Sequence, residues 1–535
     1  MRNLLLTLTI ILTTAWGAVA QGPSQQNVGD DYANLIDLKA KPMFIADFNF
    51  TIFDAGVNTK YTEYGSTFFM GKYIIISARK IGGLGGTKDK LTNESYTELF
   101  CADIDQYGNL SRPLLFSRII NTLSSEGSVA FTPDQKVIYY TRNTQENSEK
   151  YQLYRAVLDK VQTGKWVNEE LIPFSGTDYS IENPSITTDG KRMFFTSNME
   201  GGLGGYDIYY VDIHENGALG TPVNLGSEIN TADDEKYPYM SPDNKHLYFS
   251  SNGHNSLGGL DVYRAKRVFD NYVRPLNLGT TINSEADDYA FIMSSKDRGY
   301  FTSDRAEGKG KSDIYKYIKE DITQTIQGTV VDRETRIPLP NTVIELIDEE
   351  GNVVATKTTT EEAKFEFDID PFDVYTIKTT RDGFDDNIVD FESNTGRTKD
   401  FAMTVEMDPS QAEIVEVDDK MMIAIENIYF DYDKWLIKKE STISLNKIVD
   451  VLNANPDMKI EINAHTDSRG RDAYNLSLSK KRAASAMKFL IANGIDGNRL
   501  VSNGYGETQP LFDCGSDCSE EQYELNRRIE FVIIK

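Results

Sequence analysis

The sequence predicts three folded regions in one chain: an all-β propeller of five blades, a small all-β sandwich and an α+β domain at the C terminus. Three observations carry this. At 535 residues, with 39% hydrophobic and 26% charged side chains, the chain exceeds what a single core organises and has the composition of folded protein. A β-rich unit recurs between about 32 and 318. The final hundred or so residues instead alternate period-two and helical apolar patterns.

The first twenty residues have the composition of an export signal. Arg2 precedes an apolar stretch from Leu4 to Trp16, and Ala18-Val19-Ala20 supplies small residues for cleavage before Gln21. The apolar stretch is shorter than the ~20 residues a membrane-spanning helix needs, so residues 1–20 are expected to be removed, leaving no transmembrane segment in the mature chain. A net charge of −26 opposes nucleic acid and anionic lipid as partners.

The repeat begins at Glu63, Glu126, Glu182, Glu235 and Asp287, separations of 63, 56, 53 and 52 residues. Its clearest copies read Pro184-Ser-Ile-Thr-Thr-Asp189-Gly190 then Phe194-Phe-Thr-Ser197-Asn198, and Pro238-Tyr-Met-Ser-Pro-Asp243 then Tyr248-Phe-Ser-Ser251-Asn252. Each is followed by a Gly-rich turn and Asp207-Ile-Tyr or Asp261-Val-Tyr. Short strands joined by Asp-Gly and Gly-rich turns cannot bury both faces alone, and radial stacking solves that. Five copies predict five blades over 21–318, with six as the alternative if 32–62 forms a degenerate unit. The Gly82–Gly86 segment lacks the Gly-Lys-Ser/Thr ending of a phosphate loop and is read as a turn. The acidic pairs Asp233-Asp234 and Asp287-Asp288 lack the alternation of a calcium loop and are read as solvated charge, so no metal or other cofactor is expected. These copies resemble the WD-repeat-like propellers of the TolB family.

From 323 to 408 the strands Ile326–Asp332, Thr342–Ile347, Ala363–Asp368 and Tyr375–Thr379 suggest a β-sandwich. The Pro338-Leu-Pro340-Asn turn and the closing Gly383-Phe384 make it similar to carboxypeptidase regulatory-like domains, which implies a spacer. Residues 409–422 are acidic and are read as a linker.

In 423–535, Ile425–Phe430, Lys459–Asn463, Arg499–Gly504 and Ile529–Ile533 read as strands, and Leu436–Leu452 and Asn475–Asn493 as helices. His465-Thr-Asp467, Gly470, Tyr474-Asn475, Leu478-Ser479 and Arg482 place a carboxylate at a strand end and a guanidinium on the helix that follows. Phe430-Asp431, Gly504-Tyr-Gly506-Glu507 and Asn526-Arg527-Arg528-Ile-Glu530 complete a pattern that closely resembles the OmpA-like peptidoglycan-binding domain. The resemblance implies recognition of diaminopimelate in the peptidoglycan stem, with Asp467 on its ammonium, Arg482 on its carboxylate, and Asn475 and Arg528 in support. An arginine fork matches a carboxylate better than a lysine point charge does.

Of the three cysteines, Cys101 reads as a buried small hydrophobe, while Cys514 and Cys518 are a disulfide candidate inside an insertion, 513–521, that departs from the common pattern. The four histidines are scattered and neither a Gly-x-Ser-x-Gly elbow nor a His-Glu-x-x-His motif occurs, so a non-catalytic protein is expected. The rival expectation is a propeller hydrolase acting on glycan or peptide, with carboxylates converging at the axis. The whole arrangement resembles envelope proteins of Bacteroidetes that accompany type IX secretion or gliding machinery. That implies a periplasmic location beside the outer membrane and a propeller holding an outer-membrane or periplasmic protein partner.

Overall fold

The computed structural model describes residues 45–534 except 80–87, 90–91, 144–149, 162–163, 411, 418, 426–427, 429, 431–434, 436, 439–440 and 514–517. The apolar leader, the Gly82–Gly86 turn, Asp431 and Cys514 lie outside the described residues.

Up to residue 319 the described chain is all β. It forms five four-stranded antiparallel sheets whose first strands are Glu63–Phe69, Glu126–Phe131, Ile181–Ile186, Glu235–Met240 and Asp288–Met293. These starts coincide with the repeat starts to within one residue. Each first strand carries a register shift against the second, a bulge that sharpens the local twist. The strand that a sixth unit would need, Phe50–Asp54, pairs instead with Asp313–Lys319 and supplies the fourth strand of the fifth sheet.

The repeat positions explain this order. In four sheets a buried acid opens the first strand: Glu63, Glu126, Glu235 and Asp288. Each accepts hydrogen bonds from the backbone and side chain of the Thr or Ser four residues earlier. Five residues before each acid stands an asparagine that donates to and accepts from one residue in the third strand of another sheet. Asn121 grips Leu99, Asn230 grips Ile208 and Asn283 grips Val262, each the preceding sheet, while Asn58 grips Ile314 in the last sheet, all at 2.7–3.0 Å. Gly204, Gly258 and Gly310 of the Gly-rich turns press against backbone at Thr231–Asp233, Glu285 and Tyr61, where a Cβ would not fit. The acidic pairs are internally employed as well. Asp234 accepts from Tyr206 N and Asp287 from Leu260 N, both at 2.8 Å.

Residues 324–407 form two facing sheets. One holds 364–369, 324–332 and 399–407; the other holds 353–358, 343–347, 374–380 and 387–392. Ile326, Val330, Ile344, Leu346, Phe365, Phe367 and Ile377 fill the space between them. The strands 353–358, 387–392 and 399–407 were not predicted from the sequence; 353–358 is almost wholly exposed and carries no alternation, whereas 399–407 alternates through Phe401, Met403, Val405 and Met407 and was legible.

The expected linker is not one. β1 (Glu413–Val417) and β2 (Lys420–Ala424) form a hairpin that joins the C-terminal sheet through Met422 opposite Val532. The acids lie in Glu413 to Asp419, whose strand is largely exposed, while Ile423 on the inner strand is buried, as in an edge hairpin held by one strand. The domain continues with α1 (Ser441–Ala454), β3 (Lys459–His465), α2 (Asp472–Ala492), β4 (Leu500–Gly506), α3 (Glu520–Asn526) and β5 (Ile529–Ile534). The sheet order is β1-β2-β5-β3-β4, with β3 and β4 parallel. Ile443 of α1 is buried in the core of the preceding sandwich, and Lys447 Nζ donates to Gly383 O. The sandwich and the C-terminal domain therefore share packed surface rather than being joined by a loose tether.

Candidate functional site

The site starts with β3, whose Ile460, Ile462 and Ala464 are fully buried under the helices. Where β3 ends, its neighbours hold the chain. His465 N donates to Arg528 O and Thr466 N to Gly506 O, both at 2.9 Å. Asp467 follows with nowhere to swing and is only 7% exposed. Gly470, at φ 121°, turns the chain into α2 where a side chain would be strained.

The buried face of α2 carries Asn475, Ser479, Arg482, Ala483, Ala486 and Leu490. Asn475 Nδ2 donates to Glu507 Oε2 at 2.6 Å and to the carbonyls of Asp467 and Arg469 at 3.3 Å, tying the acidic loop to the helix. Ser479 Oγ accepts from Gly506 N at 2.9 Å. These bonds require α2 to lie directly on β4, and Gly504 permits that. A Cβ there would sit 2.6 Å from Lys480 Cα and closer still to its N.

Three charged groups surround the acid. Asp467 Oδ2 accepts from Arg469 Nη2 at 2.9 Å and Nε at 3.2 Å and from Arg527 Nη1 at 2.6 Å, and Oδ1 accepts from Arg469 N at 3.1 Å. Both guanidiniums also donate to Glu520, Arg469 at 2.9 and 3.1 Å and Arg527 at 3.2 Å. Burial pushes the Asp467 carboxyl up, and the two arginines outweigh it, holding the group below the ordinary carboxylate range. Arg469 additionally lies over the Tyr523 ring at 4.3 Å.

Arg482 is 8% exposed, with its guanidinium 4.8 Å from the Phe430 ring. It stands two turns after Asn475 on the same face, roughly 10 Å along the axis, and helical side chains lean toward the N terminus, here toward the acidic loop. Arg528 sits elsewhere than beside Asp467. Its Nε donates to Glu530 Oε1 at 2.8 Å and its Nη atoms to Gln509 O at 3.3 Å, so its tie to the acidic loop is the backbone bond to His465. His465 is buried, stacks on Tyr505 at 5.4 Å and has Nε2 3.6 Å from Glu530 Oε2. The His465 ring and then Arg528 draw the Glu530 carboxyl down to about 2.

Of the residues singled out from sequence, the structure brings Asp467 and Asn475 together, sets Arg482 on the same helix face and turns the side chain of Arg528 aside. Sequence reasoning missed Arg469, Arg527 and Glu520. Arg527 was legible: β5 begins at Ile529, so adjacent arginines before it project to different sides, and either was a candidate. Glu520 was not, because it comes from the insertion. Cys518 in that insertion is disulfide-bonded and Cys101 is free. Among the described residues no cluster of three or more His, Cys, Asp or Glu is arranged to hold a metal ion.

Comparison with known proteins centres on this domain. Residues 429–524 match the OmpA family and residues 325–406 the carboxypeptidase regulatory-like domain. The peptidoglycan-associated lipoprotein of Brucella melitensis is 35% identical over 108 residues, 20% of this chain and 62% of that one. Outer membrane porin F of Pseudomonas aeruginosa is 33% identical over 123 residues, 23% and 32% of the two chains. A Gloeobacter violaceus protein named photosystem I P700 chlorophyll a apoprotein A2 is 40% identical over 117 residues, 21% of this chain and 13% of that one. The chain thus spans between 13% and 62% of the length of these relatives. The solved peptidoglycan-associated lipoprotein from Burkholderia pseudomallei aligns with 20% of this chain and 89% of its own at 27% identity, TM-score 0.19. The C-terminal domain is OmpA-like, and a carboxypeptidase regulatory-like domain precedes it.

Proposed function

We propose that this chain is a non-catalytic protein of the bacterial envelope that anchors to peptidoglycan through its C-terminal domain and presents a propeller to a protein partner. In this reading Asp467 takes the ammonium of diaminopimelate and Arg482 its carboxylate. The observation that carries it is the site just described: within the OmpA-like domain, a buried acid just past β3 is tied to α2 by Asn475, and a buried arginine stands two turns further on the same face of that helix. Each arm supplies a charge-assisted hydrogen bond of about 1.5–3 kcal/mol. The naming of relatives as peptidoglycan-associated supports the ligand class. Asn475 fixes the loop that carries Asp467, and Arg528 fixes the start of β5 beside it.

The propeller reading rests on the first-sheet to last-sheet contacts. Phe50–Asp54 adds to the last sheet, Asn58 grips Ile314 and Gly310 meets Tyr61, the last two repeating what Asn230 with Gly204 and Asn283 with Gly258 do between the third and fourth and the fourth and fifth sheets. Five blades then follow, the ends of the region joined where Phe50–Asp54 completes the last sheet. Envelope residence accords with the leader pattern of residues 1–20 and with no described helix being long and apolar enough to cross a membrane. The partner's class is an outer-membrane or periplasmic protein, with the type IX secretion or gliding apparatus as the first assembly to examine.

The test is sedimentation of the full chain with purified sacculi, with free diaminopimelate as competitor. Co-pelleting that the competitor abolishes, and that Arg482→Ala removes without lowering the melting temperature, is expected. Pelleting indifferent to both would refute the assignment. Crosslinking in cells through surface positions of 45–319 is expected to capture an envelope protein, and capture of wall material alone would refute the scaffold role.

A further inference from the structure

Asp467 does not wait for a cation with an empty carboxylate. It already accepts four N–H donors, three of them from Arg469 and Arg527 side chains. An incoming ammonium must displace part of that set, and the displaced guanidinium N–H groups need another acceptor. Without one, the exchange would trade good bonds for orphaned donors near a partly buried site, an unfavourable step. The structure supplies that acceptor in Glu520.

Glu520 touches both arginines. Arg469 donates through Nη1 and Nη2 and Arg527 through Nη2, so each guanidinium already bridges the two acids. With two carboxylates and two guanidiniums the group is neutral. Removing the Glu520 charge would leave it one positive charge in excess, facing a ligand that arrives with a cation. The exposure gradient has the right sense for an exchange: the Asp467 side chain is 10% exposed, Arg527 30%, Arg469 49% and Glu520 68%. The arginines therefore form a layer between the buried acid and an outer one.

Glu520 is also held in place. Ser519 and Gln522 form a reciprocal capping box, Ser519 Oγ accepting from Gln522 N at 3.3 Å and Gln522 Oε1 from Ser519 N at 2.8 Å. Cys518, one residue earlier, is disulfide-bonded. Tyr523, one turn on, lies under Arg469. The insertion that departs from the common pattern is thus what delivers this carboxylate.

The geometry points to Glu520 as a positioning residue that sets specificity for amine-bearing ligands, by taking over Arg469 and Arg527 when a ligand ammonium takes Asp467. This rests on the reading of Asp467 as the ammonium contact. The experiment is calorimetric titration of the full chain with two probes. Mono-N-acetyl diaminopimelate keeps one free amine beside a carboxylate; the di-N-acetyl compound keeps both carboxylates and no amine. The unaltered chain is expected to prefer the first. Glu520→Gln is expected to weaken it by on the order of fivefold, the reach of a rim ion pair, while the second, a dianion meeting a more positive cluster, is not weakened. Glu520→Asp should recover part of the loss, and the loss should shrink at high salt.

If the unaltered chain prefers the amine-bearing probe and Glu520→Gln binds it equally well, the role of Glu520 is overturned and the Asp467 contact stands. Equal weakening of both probes, accompanied by a lower melting temperature, reduces Glu520 to a structural tie and also overturns it. If the unaltered chain does not distinguish the probes, the Asp467 contact itself fails and this inference falls with it.

Discussion

Asp467→Asn is the most informative single change, because it alters charge while nearly preserving shape. In the native site one carboxylate receives three guanidinium N–H bonds and a backbone N–H at 2.6–3.2 Å. The amide keeps one oxygen acceptor and turns an NH2 group toward a guanidinium. Two consequences differ in size. The folded protein loses pairing with arginines that are 30% and 49% exposed, which costs about 1 kcal/mol at such solvated positions. Ligand binding loses the charged arm outright, about 1.5–3 kcal/mol, or roughly 10- to 150-fold in affinity. The quartet also becomes net positive, adding repulsion to the loss. Binding should therefore collapse while the fold survives. Sacculus pelleting and calorimetry with a diaminopimelate-bearing stem peptide measure the first, and thermal melting the second. A variant that pellets like the unaltered chain, with a melting temperature within a degree or two, would refute the argument that this carboxylate is the ammonium contact.

Other consequences can be checked independently. Gly504→Ala places a Cβ against the α2 backbone at Lys480 and should destabilise the C-terminal domain by about 1–3 kcal/mol, read as faster hydrogen exchange in β3 and β4. Asn58→Ala removes both bonds to Ile314 and leaves its N–H unpaired, while its carbonyl keeps the bond from Ala55 N, so residues 45–319 should lose about 1–2 kcal/mol and become more sensitive to protease. Glu530 has its folded value depressed to about 2 by His465 and Arg528, so its contribution is complete above the ordinary 4.5 and is lost as pH falls toward 2. Hydrogen exchange of β5 amides in the full chain should show up to about 3 kcal/mol lost across that window, and Glu530→Gln should flatten the dependence.

The repeat, the sandwich strands with strong alternation and the α/β order of the last domain were all legible in the sequence, because each is a local pattern of apolar spacing and turn residues. Legible too was the placement of Asp467 just past a strand and of Asn475 and Arg482 on the helix that follows, since all three lie within sixteen residues of one another. Residues 409–422 read as a linker for a physical reason. Their acidic side chains lie on a largely exposed strand, and the hairpin becomes stabilising only when the β5 edge is there to accept it.

What the sequence by itself determined is the strongly patterned elements and the two charges they carry. Local spacing dictates these, and no distant residue can change which face of α2 holds Arg482. What only the tertiary structure decided is the company those charges keep. Arg527 and Glu520 reach Asp467 and Arg469 from 51 to 60 positions away in the chain, and the fifth sheet is completed by a strand more than 200 residues upstream. Contacts at such separations follow from chain closure and packing, which no local pattern encodes.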